Sequence, residues 1–502
     1  MTVQTQTWAL GGGLDLVSPA LSIPAGAAIL AQNFEPELSG GYRRMDGYAA
    51  FDGTTTGTPA AVPGSGDIRG IWIYGGDVYA FRDNAGGTAC VMHKATISGW
   101  TVVTTPVLAA GGEYEFVNYN FTGHSGTIMM YGCDGANKAF QFDGTTFTQL
   151  TTGMTTDTPN HIAAFKNHLF LSFTGGSVQH SGLGDPTTWT LSTGAGELAT
   201  GMEVTGLHPV AGNALVIFSR VRTHILYGTS SADWDLKIFS EEAGAKEKTI
   251  AFLENDLYFL NDAGVTTLQA VQAYGDFATS NLSQTIKPFL DSRKSNVVAA
   301  IVSQEKNQYR VFFDDKTVLV GSFVNREVVG FTTFLLDHQA TTAVNGCGFC
   351  GSVDGDLMYF GTDEGYIMHI DSGTSFNGGS IQSFLRLPFT HLQSPHRKKR
   401  FRKIVVDVDA GSQADISYSV DFEYGERGSS EQTEIIYGSG SFWDVGEWDS
   451  FTWSSPAISR IEGYIDGSGR NFSLLISHNS TTDPAFTLQG VQLNYSLRGL
   501  VR

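Results

Sequence analysis

Cys347 and Cys350 sit three residues apart inside the run Gly346-Cys347-Gly348-Phe349-Cys350-Gly351, and the run offers two kinds of chemistry. A Cys-x-x-Cys pair can supply half of a zinc site or cycle between thiol and disulfide, while Gly-x-Gly-x-x-Gly can cradle a dinucleotide pyrophosphate. Each needs company that is missing. Zinc takes about four ligands, and the other two cysteines, Cys90 and Cys133, stand alone and far away. A redox pair of the thioredoxin kind needs a βαβ context. A dinucleotide loop follows a strand and opens a helix, whereas this one leads through Ser352-Val353-Asp354-Gly355 into a further strand pattern. The run reads as a glycine-rich blade connection carrying reduced thiols.

Other signatures of chemistry are equally scarce. The nucleophile elbow G-x-S-x-G, the zinc motif H-E-x-x-H and the phosphate loop G-x-x-x-x-G-K-[ST] are all absent from the sequence. His161 and His168 are seven apart and His391 and His396 flank a proline, and neither spacing marks a metal site. Carboxylates are plentiful, so a glycosidase pair stays open, because its defining separation is spatial. The repeated S-x-D-x-G-x-T-W box expected of a propeller sialidase is represented only by a loose echo at Asp143-Gly144-Thr145-Thr146-Phe147. No catalytic, cofactor-binding or metal-binding residue is assigned, and the expectation is a protein that is not an enzyme.

Two concentrations of unusual residues stand out as surfaces. Between His396 and Lys403 lie six basic residues, Arg397, Lys398, Lys399, Arg400, Arg402 and Lys403, about a fifth of the chain's 31. Three uses fit them: docking on an acidic protein surface, contact with phosphates, and a solvated strand end running into Ile404-Val405-Val406. Trp443, Trp448 and Trp453 fall within eleven positions, interleaved with Phe442, Phe451 and three acids. They suit aromatic packing or a subunit interface, and a sugar-binding platform has the same composition.

The elements that would carry these residues are strands. Charged residues make up only 16% of the 502, Gly numbers 60 and aromatics reach 12%, a mixture unlike a helical or coiled-coil protein. The net charge of −19 argues against nonspecific wrapping of DNA, since like charges repel. No apolar run approaches the roughly 20 residues that span a bilayer, and the first sixteen residues lack the basic and apolar regions of a secretory signal. Four scattered cysteines suit synthesis in a reducing compartment.

A turn residue followed by an apolar strand recurs at Gly76-Asp77-Val78-Tyr79, Gly126-Thr127-Ile128-Met129, Asn167-His168-Leu169-Phe170, Asn213-Ala214-Leu215-Val216, Asn255-Asp256-Leu257-Tyr258, Asn307-Gln308-Tyr309-Arg310 and Gly355-Asp356-Leu357-Met358. The mean spacing is about 46 residues, close to one four-stranded propeller blade. Tight hairpins follow within the units, as at Asn261-Asp262-Ala263-Gly264, Asp143-Gly144 and Thr362-Asp363-Glu364-Gly365. After about residue 385 strict alternation replaces this pattern. Ile416, Tyr418, Val420, Phe422 and Tyr424 share one face of Asp415 to Tyr424, and Val491, Leu493, Tyr495 and Leu497 share one face of Gly490 to Arg498.

The expected fold is all-β: a propeller of about six to eight blades over residues 56–385 and a β-sandwich-like platform over 386–502. Residues 1–55 form an N-terminal segment that packs with the C-terminal domain or a neighbouring subunit. Helix is expected only at Asn281 to Leu290 and, more weakly, at Pro24 to Phe34.

The stretch Leu21 to Glu35, with Pro24, Gly26, Ala28 and Asn33, followed by Gly40-Gly41-Tyr42-Arg43-Arg44-Met45-Asp46-Gly47-Tyr48, resembles the opening of the tail-nozzle, or head-to-tail stabilisation, proteins of short-tailed bacteriophages. Weaker likeness continues at Val178 to Trp189, Gly361 to Asp371 and Phe486 to Arg498. The resemblance implies a propeller on a second β domain, six copies forming a ring below the adaptor and portal, and a channel that retains the genome and conducts it outward. The implied partners are further copies of the chain, the adaptor and portal ring, tail fibres or spikes, and genomic DNA passing without sequence-specific binding. The implied location is the phage tail of the virion, after synthesis in the host cytoplasm. An acidic wall of six such chains would keep phosphate from sticking in transit. The competing reading is a glycan-binding or glycan-cleaving propeller.

Overall fold

A computed structural model describes residues 3–20, 22–124, 126–210, 214–268, 281–336, 343–352, 355–410, 414–425, 427–428, 432–436 and 459–500. Among them the chain is almost entirely strand, arranged as a β-propeller joined to a β-sandwich. Seven antiparallel blades follow in chain order, with inner strands Ser65–Tyr74, Glu115–Tyr119, His161–Phe165, Val204–Val210, Ala251–Leu253, Val297–Ser303 and Ala343–Ser352. Six are sheets of their own. The sixth blade, which opens with Val297–Ser303, instead continues into the sandwich.

The seven recurring sequence motifs mark the second strand of each blade. Six of these strands are Asp77–Asp83, His168–Phe173, Ala214–Ser219, Asp256–Leu260, Gln308–Phe313 and Gly355–Thr362, and in blade 2 the motif ends where Met129–Cys133 begins. These strands lie between neighbours within their own sheet and between the flanking blades, so both of their faces are largely buried. The spacing is a packing signal.

Seven seams close the ring. Phe81 and Met92 of blade 1 meet Met130 and Phe140 of blade 2, and Tyr131 and Cys133 meet Ile162 and Leu171 of blade 3. Phe165 and Phe170 meet Leu215 and Ile217 of blade 4, whose Val216 and Phe218 meet Leu257 and Phe259 of blade 5. Tyr258 and Leu260 meet Tyr309 and Phe323 of blade 6, and Phe312 and Val320 meet Met358 and Phe360 of blade 7. Tyr359 and Ile367 return to Ile71 and Val78 of blade 1. Each fully buried Phe contributes about 1.5–3 kcal/mol.

The N-terminal segment is threaded through both domains. Val3–Ala9 pairs antiparallel with Gly490 to Ser496, and Phe34–Pro36 and Tyr42–Arg44 extend the same sandwich sheet. Leu30–Gln32 lies between Glu327–Leu335 of blade 6 and Ile381–Arg386, which makes one ten-stranded sheet of blade 6 and half of the sandwich. Tyr48–Phe51 supplies the fourth strand of blade 7. In the sandwich, Phe401, Ile404, Val491 and Leu493 of one sheet face Ile416, Val420, Leu474 and Ile476 of the other.

Several expectations are corrected. The boundary at 385 moves toward the N-terminus, because Ile381–Arg386 buries Ile381, Ser383 and Leu385 and pairs with Phe472–Ser480. Residues 48–51 belong to the propeller although they lie in the N-terminal segment. Pro24 to Phe34 is not helical. A Cβ on Gly26 would stand 2.1 Å from the Ala9 carbonyl oxygen, so the small residues there serve close approach of chains. The helix expected at 281–290 begins later, with a single 3-10 turn, Gln284–Ile286, leading into Lys287–Arg293. Tyr424 is not on the inner face, since its strand ends at Phe422 and Glu423 and Tyr424 turn out at φ +51° and +58°. The glycine-rich run at 346–351 is a blade strand rather than a connection.

Candidate functional site

The inner strands surround a cavity of about 830 Å3 at the propeller axis, lined by residues of blades 1, 2, 3, 4 and 6 and by the chain leading into blade 5. Its wall mixes apolar and polar residues, and among the charged ones acids outnumber bases. Glu113 is ion-paired with Lys248 across two blades, and Arg69 Nη2 lies 2.9 Å from Asp83. His161, only 5% exposed, places Nδ1 2.8 Å from Glu115 Oε1 and Nε2 3.0 Å from the Val204 carbonyl oxygen. Burial opposes the charge of this imidazole, but Glu115 outweighs it, and the pKa rises above the ordinary 6.5. Asp134 accepts the backbone amides of Ala136 and Asn137 at 3.1 and 2.7 Å. Trp72 stacks on Phe116, ring centres 5.4 Å apart, and donates from Nε1 to Asn118 Oδ1 at 2.9 Å. Glu113, Glu115 and Asp134 are therefore committed as ties between and within blades. A general base would need a carboxylate aimed at a substrate instead.

The basic segment forms the first half of strand Arg397–Ala410, between Ser459–Gly469 and Phe486–Leu500. Arg397, Arg400 and Arg402 are exposed and Lys398 and Lys403 half-buried. Lys403 pairs with Glu462, a surface contact worth about 0–1 kcal/mol. Lys399 leaves the docking set. It is 0% exposed, and its ammonium donates to the carbonyl oxygens of Ser394, Arg397 and Arg470 at 2.6, 3.1 and 2.8 Å. Burial pulls its pKa down to about 8. The alternation of the strand turns this one position inward, which a run of like residues conceals. Trp443, Trp448 and Trp453 lie outside the described residues.

A third feature, a buried ion network, has no counterpart among the sequence motifs. Glu35 is approached by Arg43 at 2.6 Å, Lys306 at 2.9 Å and Arg310 at 3.6 Å, while Asp371 takes Arg310 at 2.8 Å and Lys306 at 3.3 Å. Asp46 joins through Arg43 and Lys306, so three carboxylates meet three cations. Arg310 and Lys306 are raised against the pull of burial by these carboxylates, and Asp371 is held well below the usual carboxylate range by the two cations despite its burial. The closeness of Glu35, Arg43 and Asp46 was the available signal, but Lys306, Arg310 and Asp371 lie hundreds of residues away.

The residues between Gly26 and Tyr48 make further contacts outside that network. Tyr42 Oη, fully buried, lies 3.1 to 3.3 Å from the carbonyl oxygens of Gly11, Gly13 and Gly26. Arg44 donates to the carbonyl oxygens of Asp483 and Thr374 at 2.6 and 3.1 Å. A Cβ on Gly47 would stand 2.1 Å from the Ser375 carbonyl oxygen, and Tyr48 stacks on Phe376 at 4.7 Å. Asn33, at φ +57°, donates to the Gln382 carbonyl oxygen at 2.8 Å and accepts the Leu335 amide at 2.7 Å. The motif bolts propeller to sandwich.

Cys90 and Cys133 are buried free thiols, and burial pushes Cys90 up to about 12. Among the described residues no group of three His, Cys, Asp or Glu side chains could hold a metal ion. No helix there is long and apolar enough to cross a membrane.

Fold and site together define a closed β-propeller fused to a β-sandwich. No family model matches the chain, and no curated protein matches it. Among solved structures it is similar to virginiamycin B lyase from Staphylococcus aureus, at 11% identity over 64% of this chain and 98% of that one, TM-score 0.41. It is similar also to PorZ of Porphyromonas gingivalis, a bacterial surface component of the type-IX secretion system, at 12% identity over 82% and 61%, TM-score 0.43. A third is the WD40 repeats of RRP9, at 9% identity over 65% and 99%, TM-score 0.43. Likeness of this strength says nothing of activity or partners.

Proposed function

We propose that this chain is a structural virion protein, a tail nozzle or hub subunit whose six copies form a ring below the portal and adaptor. The ring retains the genome and then conducts it. The observation that carries the reading is the bolt: the residues resembling the nozzle family's opening, Gly26, Asn33 and Tyr42 to Tyr48, hold propeller and sandwich as one body. A ring segment under the pressure of a packaged genome needs such rigidity more than it needs a catalytic group. The charge distribution supports the same reading. Outside His396 to Lys403 the chain holds all 50 acids against 25 bases, so a ring of it would repel phosphate and let DNA slide. Arg397, Arg400 and Arg402, exposed on one strand, supply the contrasting surface for docking on an acidic partner.

The test is co-sedimentation of the purified protein with adaptor–portal particles. Binding that is lost when Arg397, Arg400 and Arg402 are changed to Glu supports the reading; failure of the wild type to bind contradicts it. A glycan-binding propeller is the second reading, favoured by the axial cavity with Trp72 on its wall beside Glu113 and Glu115. Retention of a monomer on a polysaccharide column, abolished by Trp72→Ala, would favour it.

A further inference from the structure

One ring on the channel wall touches three blades. His161 opens the inner strand of blade 3, Glu115 opens that of blade 2, and Val204 opens that of blade 4. A carboxylate and a carbonyl are both acceptors, so the contacts of 2.8 Å at Nδ1 and 3.0 Å at Nε2 are both hydrogen bonds only when the imidazole carries both protons. Neutral with its proton on Nε2, the ring keeps Val204 and turns the Nδ1 lone pair toward the Glu115 carboxylate. We propose that His161 is a proton-operated latch across blades 2, 3 and 4, closed as the imidazolium and released from blade 2 when Nδ1 loses its proton.

The surroundings favour the charged ring and leave its strand in place when it discharges. Ser172 Oγ of the same blade accepts the His161 backbone amide at 3.1 Å. From blade 2 come Glu115 and Glu113, the latter engaged by Lys248, and Glu247 stands in the chain leading to blade 5. Asp134 is held by backbone amides, and Arg69 of blade 1 is paired with Asp83. His208 of blade 4 also lines the cavity, and burial lowers its pKa, so it adds no positive charge near neutrality. His161 itself is raised above 6.5, with burial outweighed by Glu115 and Glu247. The folded-state value exceeds the unfolded one. The latch's contribution is therefore fully present below about pH 6.5 and is lost as pH rises through the folded value.

In the apolar seam between blades 2 and 3, with Tyr131, Ile162 and Leu171, burial and the nearby Glu115 hold the Cys133 thiol well above its ordinary value, so it stays neutral and the seam stays shut. Release thus opens only the channel edge of that seam. The effect of alkaline pH is local: the start of strand Glu115–Tyr119 loosens while the blade stays folded.

The test is imidazole nitrogen NMR on the full chain selectively labelled at histidine, with His161→Gln identifying the resonances by their loss. Both nitrogens of His161 are expected to stay protonated above the pH at which an ordinary histidine is half-titrated. In Glu115→Gln the side-chain amide donates to Nδ1 of a neutral ring, so the titration falls below 6.5. Hydrogen exchange at 115–119, corrected for intrinsic rates, is expected to rise through the wild-type titration and to stay level over that range in Glu115→Gln. Should His161→Gln fail to fold, the resonance that moves in Glu115→Gln makes the assignment. A wild-type His161 that discharges at or below the ordinary value, a titration unmoved by Glu115→Gln, or exchange indifferent to it would each overturn the latch.

Discussion

Blades 1 to 4 and blades 6 and 7 close the same ring by different means. The first four are separate sheets, joined to their neighbours mainly by apolar faces and by single ties such as Glu115 to His161. Blades 6 and 7 are built partly from the N-terminal segment. Leu30–Gln32 prolongs one sheet into the sandwich, Tyr48–Phe51 completes the other, and an ion network with Arg310 fully buried sits between them. An apolar seam can lose one side chain and still shield its neighbours. A buried ion network cannot, because each remaining charge is left without its partner in a low-dielectric setting.

The largest expected effect follows from that difference. Arg310→Met leaves Glu35 and Asp371 short of a buried cation, and the loss in chemical unfolding is expected to be about 3–5 kcal/mol. A loss under about 1 kcal/mol would mean the network is not what joins the domains. Leu169→Ala, in the seam between blades 2 and 3, is expected to cost about 2–5 kcal/mol. Its added hydrogen exchange should concentrate in blades 2 and 3, whereas that of Arg310→Met spreads to the sandwich; identical patterns would erase the distinction.

A smaller change probes the bolt alone. Tyr42→Phe removes a hydroxyl shared among three carbonyl oxygens and is expected to cost about 1–3 kcal/mol in thermal or chemical unfolding.

Acid should separate the regions without mutation. His168 is buried with Nδ1 2.6 Å from the Ser181 carbonyl oxygen, and burial lowers its pKa below 6.5. The unfolded chain then binds the proton more readily, so this contribution to stability falls away as pH drops below about 6.5. Asp371 is lowered from 3.8, so its contribution is lost only when pH drops below about 3.8. Exchange in blade 3 should therefore increase at mildly acid pH, before any increase around Asp371. The reverse order would contradict the assignment of these two sites.

The legible parts of the sequence were those whose signal is local. The turn-plus-apolar motifs at 76–79 through 355–358 marked the second strand of each blade, because most residues of those strands are buried and the hairpin turns beside them need specific residues. The sandwich strands showed in alternation, and Ile416, Val420, Val491 and Leu493 are buried as the pattern requires. The ion network was invisible because Glu35, Lys306 and Asp371 become neighbours only after the propeller closes. Lys399 hid among exposed neighbours, and the axial cavity is assembled from strands spread over more than two hundred residues.

The smallest expected effect on stability carries the most weight for function. Changing Arg397, Arg400 and Arg402 to Glu should cost no more than about 0.5 kcal/mol per position, since all three are exposed, and should still prevent docking. The central claim is most directly tested by mass photometry of the wild-type protein with and without adaptor–portal particles. Addition of six chains to each particle is the predicted result. A protein that stays monomeric and adds no mass to the particles would contradict the account.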